Sequence, residues 1–131
     1  MTNLCKPTKL AWQDSEDSLQ IQCAAFAKKA LYLAKEPQLF HSIPNGGRRS
    51  PREAARLKLG GVLRGVPDTF LPLRSEEYAG LYIELKNSKG RLSEEQIDFM
   101  TAATKEGYLC LVVNDLDTFK SVFSHYIQQR K

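Results

Sequence analysis

Five residues, Tyr82-Ile83-Glu84-Leu85-Lys86, constrain this chain more than any other stretch. They are apolar and β-prone enough to form a strand, and side chains two apart on a strand share a face. Ile83 and Leu85 therefore point into a core, while Glu84 and Lys86 point together the other way. Asp68 opens a second strand candidate, Asp68-Thr69-Phe70-Leu71-Pro72-Leu73. A hairpin turning through Arg74-Ser75-Glu76-Glu77 brings its carboxylate beside Glu84. Two carboxylates so close repel each other unless a divalent cation lies between them. Hard oxygen donors select Mg²⁺ or Mn²⁺, which activates water and neutralises charge growing on a phosphate, with Lys86 to orient that water or stabilise the pentavalent centre. The commoner meaning of Glu-x-Lys is a surface ion pair on an edge strand, so the flanking features must decide.

Charge is the first of these features. Net charge is only +4 over 131 residues, but from Arg48 to Arg64 there are six cations and one anion, whereas the remainder carries 13 cations and 14 anions. All the excess positive charge leads into Asp68. Charge runs are usually solvated helix faces; beside a candidate metal site, this one suits a polyanionic substrate. The length fits one domain, expected over 14–131 behind an N-terminal arm of residues 1–13. The longest apolar run, Leu109 to Val113, is too short to cross a bilayer. The N-terminus lacks the apolar core of a signal peptide, so a cytoplasmic location is expected, in a bacterial or phage-infected cell. Cys5, Cys23 and Cys110 form no Cys-x-x-Cys pair and read as reduced, with Cys23 and Cys110 as small core residues.

Local signals set the remaining elements. Leu19, Cys23, Phe26, Ala27, Ala30, Leu31 and Ala34 recur at helical spacing from Glu16 to about Lys35, after a cap at Asp14 or Ser15 and before Pro37 as terminator. Glu16 and Gln20 stack one turn apart at its start, where an acid also suits the helix dipole. Leu39 to Ile43 is a short strand candidate, closed by Pro44-Asn45-Gly46-Gly47. Ser50-Pro51-Arg52-Glu53 is a capping box with a proline start, for a helix to Leu59 that stacks Arg52 on Arg56. The glycines from Gly60 to Gly65 match neither the Walker nor the dinucleotide spacing, so no nucleotide cofactor is expected. Ser93 caps a helix to about Lys105 that turns Ile97, Met100 and Ala103 or Thr104 inward, with Gln96 reaching back and Gly107 as terminator. Tyr108 to Val113 reads as a strand buried on both faces, and a last helix starts at Asp115 or Asp117. The fold class is α/β, a small mixed sheet containing a hairpin and flanked by helices.

Glu16 to Gln20, Pro44 to Gly47, Arg64 to Asp68, Tyr82 to Lys86 and Gly90 to Gln96, in that order, resemble the virus-type replication-repair nuclease (VRR-NUC) domain of the PD-(D/E)xK superfamily. The resemblance spans roughly Glu16 to Val113. It implies a restriction-endonuclease-like core and Mg²⁺- or Mn²⁺-dependent cleavage of DNA. It assigns Asp68, Glu84 and the Leu85 backbone carbonyl as metal ligands, Lys86 as the catalytic lysine, and Glu16 as a further active-site acid, for a second ion or through water. Gln20 and Gln96 match polar positions of the family. Stand-alone members of this size look like homodimeric resolvases of four-way (Holliday) junctions, which implies branched double-stranded DNA as the partner. Asn45, Gly46, Gly47, Arg48, Arg49, Arg52, Arg56, Lys58 and Arg64 are the expected DNA contacts. The alternatives are a monomeric nuclease acting on flaps or nicked DNA and, in another class, a DNA-binding module without activity.

Overall fold

The computed structural model describes residues 16–44 and 49–130, except for the side chains of Glu16 and Asp17. The elements run α1 (Glu16–Leu33), β1 (His41–Ser42), α2 (Pro51–Leu59), β2 (Thr69–Leu71), β3 (Leu81–Leu85), α3 (Glu94–Lys105), β4 (Leu109–Val113) and α4 (Leu116–Gln128). They form one four-stranded sheet of order β1-β2-β3-β4, in which the first two pairs are antiparallel and the last is parallel. Parallel neighbours cannot be joined by a tight turn, and α3 supplies the crossover between β3 and β4.

The two faces of the sheet are covered differently. Cys23, Ala27 and Leu31 form one buried stripe of α1 and meet Phe119, Phe123 and Tyr126 of α4 beneath Leu71, Leu81, Ile83, Leu85 and Val113. On the opposite face the rings of Phe70 and Tyr82 stack at 4.2 Å, and Phe99 of α3 meets Tyr82 edge-on at 5.2 Å. Strand alternation thus sends Ile83 and Leu85 into the core against α1 and α4 and leaves Tyr82, Glu84 and Lys86 on the α3 side.

Several caps match their sequence signals. Ser50 accepts from the Glu53 N–H, Ser93 and Gln96 form a reciprocal box, and Asp115 caps α4. Other expectations are corrected. Helix α1 stops at Leu33 before Pro37 can act, because Lys35 adopts a left-handed φ of 57° and the Glu36 N–H closes back on the Leu31 carbonyl. The strand expected over Leu39 to Ile43 is only His41–Ser42, and the one expected from Asp68 to Leu73 pairs only over Thr69–Leu71, ahead of Pro72. Strand β4 is not buried on both faces: it closes the sheet as an edge strand, leaving Val112 46% exposed and Cys110 only half-buried. Ile97 likewise does not turn inward but is 49% exposed, and it is Phe99 that packs on the sheet. Cys5 and the arm lie outside the described residues. Among the described residues no helix is long and apolar enough to cross a membrane.

Candidate active site

The hairpin register sets the site. Thr69 pairs with Ile83, so Asp68, one residue before β2, falls level with Glu84 and Leu85. Each strand then donates a backbone N–H to the other's carboxylate: the Asp68 N–H to Glu84 Oε1 at 3.1 Å, and the Leu85 N–H to Asp68 Oδ2 at 2.9 Å. The reciprocal clasp fixes both carboxylates. Lys86 follows on the same face, with Nζ 3.3 Å from Glu84 Oε2.

Helix α3 closes the site from above. Gln96 has two jobs: its Oε1 accepts from the Ser93 N–H at 2.9 Å to complete the capping box, while its Nε2 donates to Glu84 Oε2 at 2.7 Å. The residue that starts the helix thus also orients a buried carboxylate. Gly65 sets how closely α3 approaches. It has φ +92°, and a Cβ there would lie 2.3 Å from the Glu95 carbonyl oxygen and 2.9 Å from the Gln96 nitrogen. Only a residue without a side chain lets the segment leading to Asp68 pass beneath the first turn of α3.

Glu84 is 2% exposed, and its pKa is pushed up to about 7. Burial is the main cause and the charge of Asp68 the next, opposed by Lys86 and by the hydrogen bond from the Asp68 N–H. A carboxylate desolvated beside a second carboxylate is what a divalent cation relieves, and two carboxylates with a nearby backbone carbonyl form a hard oxygen donor set suited to Mg²⁺ or Mn²⁺. The residues fit such an ion. Among the described residues no third carboxylate, histidine or cysteine joins this pair.

The other expected residues spread around this centre. Glu16 is the first residue of α1, and its side chain lies outside the described residues, as do Asn45, Gly46, Gly47 and Arg48. Gln20 is half-buried one turn further along α1, on a cleft beside β1 rather than in the clasp. Arg49 donates Nη2 to the Pro44 carbonyl at 3.3 Å, and the Ile43 N–H donates to the Asp68 carbonyl, so the basic segment starts next to the site. Arg52, Arg56 and Lys58 line α2, which buries no residue, and Arg64 is exposed beyond it. The sequence placed Gly65 at the head of the Asp68 motif but gave it no packing role, and gave Gln96 no bond to Glu84. A glycine three residues before the Asp68 motif's acid was a signal for the first.

Known proteins share this fold. The VRR-NUC domain profile matches residues 10–114, from before α1 through the end of β4. The chain belongs to that family. A solved structure described as a VRR_NUC domain protein is similar to this VRR-NUC domain with a TM-score of 0.76 and 27% sequence identity, over 89% of this chain and 91% of that one. Comparison with curated proteins gives no match. Membership makes the protein a nuclease of the PD-(D/E)xK type, with DNA as its substrate, and the family pattern falls on Pro67-Asp68 and Glu84-Leu85-Lys86.

Proposed function

We propose that this VRR-NUC domain is a divalent-metal-dependent DNA endonuclease in which Asp68, Glu84 and the Leu85 carbonyl hold the ion and Lys86 serves the reacting phosphate. The observation that carries this reading is the clasp between Asp68 and Glu84 with the Lys86 ammonium 3.3 Å from Glu84. When bound, Mg²⁺ or Mn²⁺ supplies an acidified water and neutralises charge on the phosphate. The protein supplies position. The Asp68 N–H and the Gln96 amide hold Glu84 in one orientation, and buried charge acts more strongly than charge in water. Lys86 orients the nucleophile or stabilises the phosphate oxygens. Glu16, at the start of α1, adds a further acid, and the arginines of α2 grip the backbone through phosphates.

The finer reading is a homodimeric resolvase of four-way DNA junctions. Two sites related by a two-fold axis match a substrate with its own near two-fold axis, and a compact nuclease domain presents paired sites by pairing with a second copy. Nicking of a synthetic four-way junction in Mg²⁺ or Mn²⁺ tests the chemistry. Lys86→Ala is expected to lower cutting by roughly 100- to 1,000-fold while still binding the junction; equal cutting by both proteins removes Lys86 from the mechanism. Light scattering tests the assembly, and a clean monomer favours flaps or nicked duplex as substrate instead.

A further inference from the structure

A concave feature lined in part by Thr69 lies outside the clasp. Between α1 and the β1 edge runs a cleft of about 730 Å³, within the roughly 300–1,000 Å³ range of small-ligand clefts. Thr69, next to Asp68 in the chain but turned to the α1 side of the sheet, lines it, and Gln20, one turn from Glu16, lines its helix side. Ile21, Ala24 and Phe40 make its walls apolar, and Lys28 and His41 bring the basic groups. Its described lining contains no carboxylate, whereas the clasp, one residue along the chain from Thr69, contains two.

These walls are held in place. The Phe40 ring meets Phe119 at 5.9 Å and Phe123 at 5.5 Å, edge to face. Gln38 Nε2 donates to the Lys28 carbonyl at 2.9 Å, which ties the segment before β1 to α1. His41 Nδ1 lies 2.9 Å from the Leu39 carbonyl, which can only accept, so Nδ1 donates and the neutral ring keeps Nε2 as an acceptor. The ring also packs on Phe70 at 5.8 Å. A preformed slot with apolar sides, amide and imidazole edges and one ammonium suits a nucleobase with its phosphate: the flat faces lie against apolar wall, the edge meets the amides, and the charge meets Lys28. A duplex is too wide to enter.

We infer that this cleft takes one unpaired nucleotide of the DNA strand next to the scissile phosphate, and so selects DNA in which a base has left the stack beside the cut. The inference rests on the nuclease reading above for the location of the cut.

An abasic scan tests it. The cut is mapped with wild type in Mg²⁺, and binding is then measured by fluorescence anisotropy in Ca²⁺ with branched oligonucleotides carrying a tetrahydrofuran residue at each position flanking the cut in turn. The expected result is a loss of affinity of roughly five- to tenfold at one such position, with binding of continuous duplex unchanged. Ala24→Trp, which fills the slot from an exposed position of α1, is expected to bind the intact branched DNA about as weakly and to lose the abasic penalty. Wild-type indifference to the abasic residue at every position, as when another segment of the chain or a protein partner occupies the cleft, overturns the proposal whatever Ala24→Trp does. An unchanged penalty in a folded Ala24→Trp protein also overturns it. Cutting without abasic discrimination removes the cleft proposal alone; abasic discrimination around the mapped phosphate that persists when Lys86→Ala cuts normally removes only the Lys86 mechanism.

Discussion

Glu84 and the arginines of α2 show two opposite uses of charge in one chain. Glu84 is 2% exposed and is held by the Asp68 N–H, the Gln96 amide and Lys86. Arg52 and Arg56 are exposed on a helix that buries no residue and is defined mainly by its own caps. Desolvation makes the first charge strong and costly, so it has to be fixed by neighbours and stays poised for a cation. The second set remains hydrated, and in the proposed function it exchanges salt ions for phosphates, which requires reach rather than precise placement. In the function proposed above, chemistry belongs to the packed hairpin and contact with the substrate backbone to the solvated helix α2.

The sharpest way to break this contrast is at Gly65. Gly65→Ala is expected to cost about 2–4 kcal/mol in chemical denaturation, since its Cβ would strike the Glu95 carbonyl at a positive φ and push α3 off the site. Gly107 has φ +96° with nothing within 4 Å of where a Cβ would stand, so Gly107→Ala costs only about 1 kcal/mol and leaves the site in place.

Glu84 gives the next largest effect, through pH. Its folded pKa of about 7 lies above the ordinary 4.5, so between those values the folded state keeps a proton that the unfolded state has released. Its contribution to stability is full below about pH 4.5, falls as pH rises to about 7 and is flat above, a loss on the order of 3 kcal/mol. The difference between wild type and Glu84→Gln, followed by denaturation across this range without metal, isolates it. Gln96 is smaller again. Gln96→Glu keeps the cap but turns an acid toward Glu84, so stability changes by about 1 kcal/mol or less while cutting falls by roughly tenfold and its pH profile moves to higher pH. Smallest in stability is Arg52→Gln with Arg56→Gln: denaturation shifts by less than about 0.5 kcal/mol, whereas DNA binding weakens and the salt slope drops by about 2.

These differences also mark what could be read from the sequence. The hairpin, the Ser93–Gln96 box and the shared face of Glu84 and Lys86 follow from spacing alone, because they depend on residues near one another in sequence or on strand alternation. Long-range packing was less accessible. The apolar run of β4 looks the same in a central strand as at an edge, and only the sheet order exposes Val112. Ile97 sits at an inward-looking spacing, but Phe99 is the residue turned to Tyr82. The closeness of Gly65 to Glu95 joins positions far apart in the chain, so the glycine ahead of Asp68 is visible in the sequence but the contact that requires it is not.

The most direct measurement is a crystal structure of the protein soaked in Mn²⁺, with anomalous scattering used to locate the ion. The expected result is a Mn²⁺ bound by carboxylate oxygens of both Asp68 and Glu84, with Lys86 alongside. A well-occupied Mn²⁺ elsewhere, with the Asp68–Glu84 clasp bare at saturating metal, would contradict the central claim.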